Sequence, residues 1–220
     1  YVQHKITYAA EMSDRVPAYL LIPKQIAKPA AAMLCLHPTS PLGKAQLVGI
    51  DGIPTRFYAR ELAEHGFVCL VPDYPSFGEY PYDFKTAGAH YVSGTMKGIW
   101  NHIRGLDVLE SLPEVDRDRI GCIGHSLGGH NSLFVAAFDQ RIRAVVTSCG
   151  FNAFEDYYGG DLKGWTSDRY MPKIRDDYGC DPQRMPFDFH EILGAMAPRP
   201  VFINAPLHDA NFAVDGVRKA

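Results

Sequence analysis

Five short runs of apolar residues recur along the chain, and segments with helical periodicity lie between most of them. The runs are AAMLCLH, FVCLVPD, RIGCIG, AVVTSCG and PVFIN. Nearly continuous apolar runs of this length are typical of strands covered on both faces, as in a parallel sheet. Alternation of such strands with helices favours an α/β domain with right-handed crossovers. The sequence therefore predicts a mainly parallel, twisted sheet with helices on both faces.

The first stretch of the chain has a different texture. HKITYAAEMSDRVPAYLLIPK consists of two extended runs around a polar Ser-Asp-Arg turn, which predicts an opening antiparallel hairpin. Helices are predicted in TRFYARELAEHG, TMKGIWNHIRGLDVLESL, SLGGHNSLFVAAFD and DFHEILGAMA. In the second of these, the periodicity assigns one face to Met96, Ile99, Trp100, Ile103 and Leu106.

Length and composition limit the class of protein. With 220 residues, the chain is predicted to form a single domain over 1–220. Its net charge of −3 provides no electrostatic attraction to nucleic acid or to an anionic membrane. No apolar run approaches the roughly 18 residues that span a bilayer. We therefore expect neither nucleic acid nor a membrane span.

The beginning of the chain and the cysteines bear on location. YVQHKITYAA has neither the basic flank nor the apolar core of a signal peptide. Cys35, Cys69, Cys122 and Cys149 each lie in an apolar run and are predicted to be small core residues. The odd total of five argues against a disulfide framework. Localisation stays open, with a slight preference for the cytoplasm.

One segment interrupts the alternation of strands and helices. Residues 151–187 are rich in Tyr, Gly, Asp and Pro and show no clear period. Long connections in α/β domains are often lids or binding loops, so we predict a lid-like or pocket-forming excursion here. Its aromatic residues either line a pocket or form a small core of their own. The stretch YPSFGEYPYDF (74–84) is also expected to shape the pocket.

The sequence GCIGHSLGGH (121–130) carries the strongest signal of chemistry. Ser126 stands in a Gly-x-Ser-x-Gly frame between a predicted strand and a predicted helix. A serine on such a strained turn needs small neighbours, which the surrounding glycines provide. The helix N-terminus directs free N–H groups at the serine. The N–H of Leu127 is then placed to bind an oxyanion.

With GHSLGG, LCLHPTSPLGK and PRPVFINAPLHD, the chain resembles the α/β-hydrolase superfamily. Within it, the resemblance is to the dienelactone-hydrolase-like and acetyl-esterase-like branch, which also contains prolyl-oligopeptidase-type peptidases. It covers the chain from about residue 15 to the end. It implies an α/β-hydrolase fold, of which the last strand and closing helix have no counterpart in this sequence.

The resemblance also implies the remaining site residues. The second oxyanion donor follows a His-Gly-type motif, which here reads His37-Pro38-Thr39. Because Pro38 has no N–H, the donor must be Thr39 or, less favourably, Ser40. His37 itself is interpreted as a loop histidine that packs under the serine turn.

The resemblance expects the catalytic acid after a later strand. Asp209 follows PVFIN and would fix the tautomer of the base and stabilise its protonated form. Asp215 and then Asp156 are weaker alternatives.

The base that the resemblance expects, a histidine after Asp209, is not in the sequence. The histidines are at positions 4, 37, 65, 90, 102, 125, 130, 190 and 208. Base and hydroxyl must approach within about 3 Å, and His125, His130 and His208 are each poorly placed for that. The favoured interpretation is that the base lies past residue 220; a catalytically inactive relative is the alternative.

These features predict a serine carboxylic ester hydrolase that acts on small or medium acyl esters through an acyl-enzyme on Ser126. A prolyl-oligopeptidase-type serine peptidase and a non-catalytic binding protein are the alternatives. No Walker loop, H-E-x-x-H motif or dinucleotide glycine fingerprint occurs. No cofactor and no metal are therefore expected.

Overall fold

The computed structural model describes residues 1–85 and 91–220 of the chain. Its strands are β1 (Val2–Ala9), β2 (Arg15–Ile22), β3 (Ala30–Leu36), β4 (Val68–Pro72), β5 (Val115–His125), β6 (Ile142–Ser148) and β7 (Val201–Asn204). They form one sheet in the order β1-β2-β4-β3-β5-β6-β7. β2 pairs antiparallel with both β1 and β4, whereas the other neighbours are parallel. The predicted opening hairpin and mainly parallel sheet are confirmed.

Helices connect most of these strands. They are α1 (Tyr58–Glu64), α2 (Gly94–Ser111), α3 (Leu127–Phe138), α4 (Lys173–Asp176), α5 (Phe189–Met196) and α6 (Val214–Lys219). Short 3-10 turns occur at Gly43–Val48, Pro54–Arg56, Phe154–Gly159, Leu162–Trp165 and Pro182–Arg184. The four helical patterns of the sequence correspond to α1, α2, α3 and α5. None of the described helices combines the length and the apolarity needed to cross a membrane.

Helices cover both faces of the sheet around β3 and β4, as predicted, whereas the prediction is wrong for β7, where Phe202 is 64% exposed. Successive side chains of a strand point to opposite faces. Leu34 and Leu36 of β3 lie in the larger core, which also contains side chains of α2, α3 and α5. Cys35, between them, lies in a smaller core with Ala59 and Ala63 of α1. Burial on both faces explains why this strand has an unbroken apolar sequence.

The buried face of α2 contains Ile99, Ile103 and Leu106, as predicted, but two of the predicted residues are exposed. Met96 and Trp100, assigned to the apolar face, are exposed by 39% and 38%. Lys97 is instead fully buried, and its ammonium pairs with Glu11 at 2.6 Å and Asp14 at 2.5 Å. A buried cation is tolerated when carboxylates neutralise it. The apolar pattern could not reveal partners that lie on the opening hairpin.

The excursion 151–187 packs around its own aromatic side chains. Phe154 and Trp165 are buried together with Phe189 of α5, at ring-centroid distances of 5.4 to 5.9 Å. Tyr158, by contrast, is 58% exposed. These aromatics therefore belong to the larger core of the domain, and Trp165 also lines a cavity described below. Of the two alternatives left open by the sequence, pocket lining holds for Trp165, whereas a separate small core is not formed.

Candidate active site

Ser126 occupies a sharp turn between the end of β5 and the start of α3. Its backbone has φ +54° and ψ −116°, a region that non-glycine residues rarely adopt. Its N–H donates to the carbonyl of Ser148 on β6 at 2.8 Å. Its hydroxyl does not cap α3. The turn thus presents a hydroxyl outward at the carboxyl edge of the parallel strands.

The turn leaves no room for a side chain at Gly128. A Cβ on this residue would lie 1.9 Å from the Leu36 carbonyl oxygen of β3 and 3.0 Å from that of His37. These are backbone atoms and cannot rotate away. The glycine is therefore needed for α3 to begin directly against the end of β3, as the sequence analysis predicted for the neighbours of Ser126.

Ser126 lies at the junction of two cavities. The first, here called the aromatic cavity, has a volume of about 100 Å³ and is lined by Thr39, Ser126, Leu127, His130, Tyr157, Gly164, Trp165, Tyr170, Asn211 and Phe212. The second, the polar cavity, has a volume of about 190 Å³ and is lined by Pro38, Thr39, Arg56, His125, Ser126, Cys149, Asp209, Asn211 and Phe212. The predicted residues Ser126, Thr39 and Asp209 thus line one cavity, and Leu127 joins Ser126 and Thr39 in the other.

Two backbone N–H groups beside Ser126 have no acceptor in the part of the chain that the structure describes. Among the described residues, no hydrogen bond is made by the N–H of Thr39 or by that of Leu127. Leu127 is the first residue of the 12-residue helix α3, where free N–H groups and the helix dipole favour negative charge. Both groups can therefore bind an anionic oxygen. The Thr39 hydroxyl shares a hydrogen bond with Tyr170 at 2.9 Å, which joins its loop to the excursion.

His37 packs under the serine turn, as the sequence interpretation held. Its Nε2 accepts the N–H of Tyr74 at 2.9 Å, and its Nδ1 donates to the Pro38 carbonyl at 2.7 Å. Its ring meets that of Phe77 edge-on at 5.7 Å. Burial lowers the pKa of His37. Tyr74 and Phe77 belong to the stretch 74–84. They pack with Leu127 in a buried cluster and line neither of the two cavities.

Asp209 lies in the turn after β7. Its Oδ1 accepts the N–H groups of Asn211 at 2.8 Å and Phe212 at 3.1 Å. Its charge raises the pKa of Cys149, although burial of the thiol contributes more. The two weaker alternatives face elsewhere. Asp156 pairs with Lys219 of α6 at 2.9 Å, and Asp215 is exposed beside Arg218.

The histidines near the serine are engaged with other groups. His125 Nδ1 lies 3.2 Å from the hydroxyl of Ser148. His130 is buried, donates from Nδ1 to the Gly150 carbonyl at 3.2 Å, and packs on Trp165. Burial lowers the pKa of His130 to about 3. Within residues 1–85 and 91–220, no hydrogen bond joins a histidine to the Ser126 hydroxyl; His90 lies outside the described residues.

The structure adds site residues that the sequence analysis did not single out. Arg56 enters the polar cavity from a 3-10 turn. It lowers the pKa of His125, to which burial contributes more. Cys149 also lines this cavity, with φ +48° at the end of β6. Cys149 is only partly buried and packs against the larger core, whereas Cys35, Cys69 and Cys122 are buried, as predicted. No local sequence signal points to Arg56.

The sheet order and the strand–serine–helix turn at its carboxyl edge define the molecule as an α/β-hydrolase, as the resemblance implied. A family model described as "Glucuronyl esterase, fungi" matches residues 84–213, more than half of the chain. The chain belongs to this family, a family of α/β-hydrolase esterases.

Individual proteins are similar over different shares of the chain. "Putative hydrolase YtaP" of Bacillus subtilis (strain 168) is 28% identical over 94% of this chain and 69% of its own length. S-formylglutathione hydrolase of Mus musculus is 31% identical over 49% of this chain. The chain spans about half the length of the latter protein, 47%.

The solved structures agree on the fold. A glucuronoyl esterase from Solibacter usitatus matches with a TM-score of 0.71 and 17% identity, over 99% of this chain and 67% of that one. At this identity the similarity concerns the fold.

Proposed function

We propose that the chain hydrolyses carboxylic esters through an acyl-enzyme formed on Ser126. One observation carries the proposal: the Ser126 hydroxyl stands on a strained strand-to-helix turn at the junction of two cavities, beside two N–H groups that have no partner among the described residues. Membership of an esterase family supports it. Such a constellation serves acyl transfer, because it supplies a nucleophile and a site for the oxyanion together.

The proposed reaction has two halves. The Ser126 oxygen attacks the carbonyl carbon of the ester while its proton passes to a base. The N–H groups of Leu127 and Thr39 stabilise the tetrahedral oxyanion. Collapse breaks the bond to the alcohol, which leaves with the proton from the base. Water then repeats the sequence on the acyl-enzyme, and the acid is released.

In this proposal Asp209 orients the base. A carboxylate serves a catalytic histidine by holding its tautomer and stabilising its charge. The histidines described beside Ser126, His125 and His130, are held by other partners, so we propose that neither of them serves as the base. Added imidazole tests this assignment, because a diffusible base can replace an absent one. The part of the ester hydrolysis that depends on Ser126 is expected to rise with imidazole concentration.

The substrate class follows from the family and the cavities. Family membership supports an ester of a sugar acid, and the small aromatic cavity supports an acyl group of small or medium size. Asp209 lies on the polar cavity, so a base held by it would protonate a leaving alcohol on that side. We therefore assign the acyl group to the aromatic cavity and the alcohol to the polar cavity.

Hydrolysis of p-nitrophenyl acetate in the presence of imidazole, by the wild-type chain and by Ser126→Ala, tests the proposal. We expect the rate in Ser126→Ala to fall to the background set by the buffer, while Ser111→Ala, an exposed serine at the end of α2, retains it. Equal rates in wild type and Ser126→Ala would contradict the esterase assignment and favour a non-catalytic binding protein. Turnover of a dipeptidyl amide without turnover of the ester would favour a peptidase.

A further inference from the structure

Lys44 is a buried cation next to the loop that carries Thr39. Its side chain is 2% exposed. Its ammonium donates to Asp73 Oδ2 at 2.6 Å and to Glu79 Oε2 at 2.7 Å, and it lies 5.2 Å from the centre of the Tyr19 ring. Burying a charge is costly unless partners satisfy it. The burial of this charge therefore indicates that Lys44 has a role that an apolar residue could not have.

Asp73 is the centre of the cluster. Its side chain is fully buried. Besides the ammonium, its carboxylate accepts the Lys44 backbone N–H at 2.8 Å and the Glu79 N–H at 2.9 Å. A Cβ on Gly43 would lie 2.1 Å from Asp73 Oδ1, so the loop backbone encloses the carboxylate. One side chain thus fixes both the loop after β3 and the loop after β4.

A second tie holds the other end of the Thr39 segment. His37 accepts the N–H of Tyr74, the residue after Asp73, at 2.9 Å. The segment 37–44 is therefore attached at both ends to two adjacent residues that follow β4. Thr39 lies between the two attachments, and its own backbone N–H is unpaired among the described residues. The direction of that N–H depends on the two ties.

We propose that Lys44 and Asp73 are positioning residues, which aim the Thr39 N–H at the oxyanion by holding its loop. The inference rests on the proposed function, in which Thr39 is one of two oxyanion donors. Loss of one such donor costs about 10²–10³ in kcat, and a displacement of about 1 Å has an effect of similar order. Because the donor acts on the transition state, kcat falls and KM stays nearly constant.

The test compares two buried lysines. Lys44→Met and Asp73→Asn are expected to lower kcat about 10-fold to 100-fold with KM changed by less than about threefold. Lys97→Met is the matched control, since Lys97 is equally buried but pairs with Glu11 and Asp14. It is expected to lose stability while kcat is retained. Equal losses of kcat in Lys44→Met and Lys97→Met, at a temperature where both are folded, would overturn the proposal.

Two further measurements keep the inference testable. If Lys44→Met does not fold, Glu79→Gln removes only the half-exposed partner and is expected to lower kcat about twofold to fivefold.

If the wild type shows no turnover that depends on Ser126, the proposed function fails, and hydrogen exchange of the Tyr74 amide decides whether the loop is held in position. We expect that amide to exchange faster in Asp73→Asn but not in Lys97→Met. Unchanged exchange in Asp73→Asn would contradict the positioning role.

Discussion

The carbonyl oxygen of Leu36 lies against the α-carbon of Gly128, so that a β-carbon on Gly128 would be 1.9 Å away. At this point strand β3 and helix α3 meet through backbone atoms. The contact sets the distance between the loop that carries Thr39, which follows Leu36, and the serine turn, which precedes Gly128. The two proposed oxyanion donors thereby keep a fixed spacing.

Gly128→Ala is expected to destabilise the protein by about 3 kcal/mol or more, because neither the helix nor the strand can yield to the new methyl group. Gly194→Ala is the control: nothing lies within 4 Å of its Cβ position in α5, and it is expected to stabilise by about 0.5–1 kcal/mol. Urea unfolding measures both. A Gly128→Ala protein as stable as the wild type would contradict the contact.

Acid is expected to destabilise the fold through two buried histidines. Burial lowers the pKa of His102 and of His130 to about 3, and one ring nitrogen of each has no hydrogen-bond partner among the described residues. Below about pH 6.5 the unfolded chain binds protons that the folded chain does not. Each histidine then removes about 1.4 kcal/mol of unfolding free energy per pH unit, down to about pH 3.

His102→Met is expected to reduce that slope by the contribution of one histidine. Urea unfolding at several pH values between 7 and 5 measures the slope. If the unfolding free energy of His102→Met and of the wild type depends on pH with the same slope, His102 is protonated in the folded protein as readily as in the unfolded chain.

Arg56→Gln is expected to raise the pKa of His125. Burial and the Arg56 charge both lower it, and Asp209 opposes them. Removing the cation favours the protonated ring, but burial persists, so the pKa rises only part of the way to about 6.5. Asp209→Asn is expected to act in the opposite direction. NMR titration of the His125 ring measures both, and a pKa that falls in Arg56→Gln would contradict the arrangement.

Phe189→Ala is expected to cost about 3–5 kcal/mol, because this fully buried ring stacks on Phe134 and Phe151. Phe138→Ala, which removes a ring 64% exposed on α3, serves as the control and is expected to change stability little. Thermal unfolding compares the two. Limited proteolysis is expected to cut within 151–187 sooner in Phe189→Ala, since the excursion packs on this ring.

Local patterns sufficed for much of the fold. Short apolar runs predicted the strands, and for β3 and β4 burial on both faces explains the unbroken apolar sequence. The serine turn was predictable because its strain requires small residues beside Ser126. The apolar periodicity wrongly predicted that Met96 and Trp100 are buried. It also could not predict the burial of Lys97, because the carboxylates that pair with Lys97 lie far away in the sequence.

The sequence by itself determined the strand–serine–helix unit and the sheet class, because both depend on neighbouring residues and on a repeating period. Tertiary structure alone decided that Lys44 meets Asp73, and that Cys149 and Arg56 line the polar cavity. These relationships join segments from different strands and loops. The physical reason is that charge pairing and cavity lining depend on distance in space, which no local pattern of residues encodes.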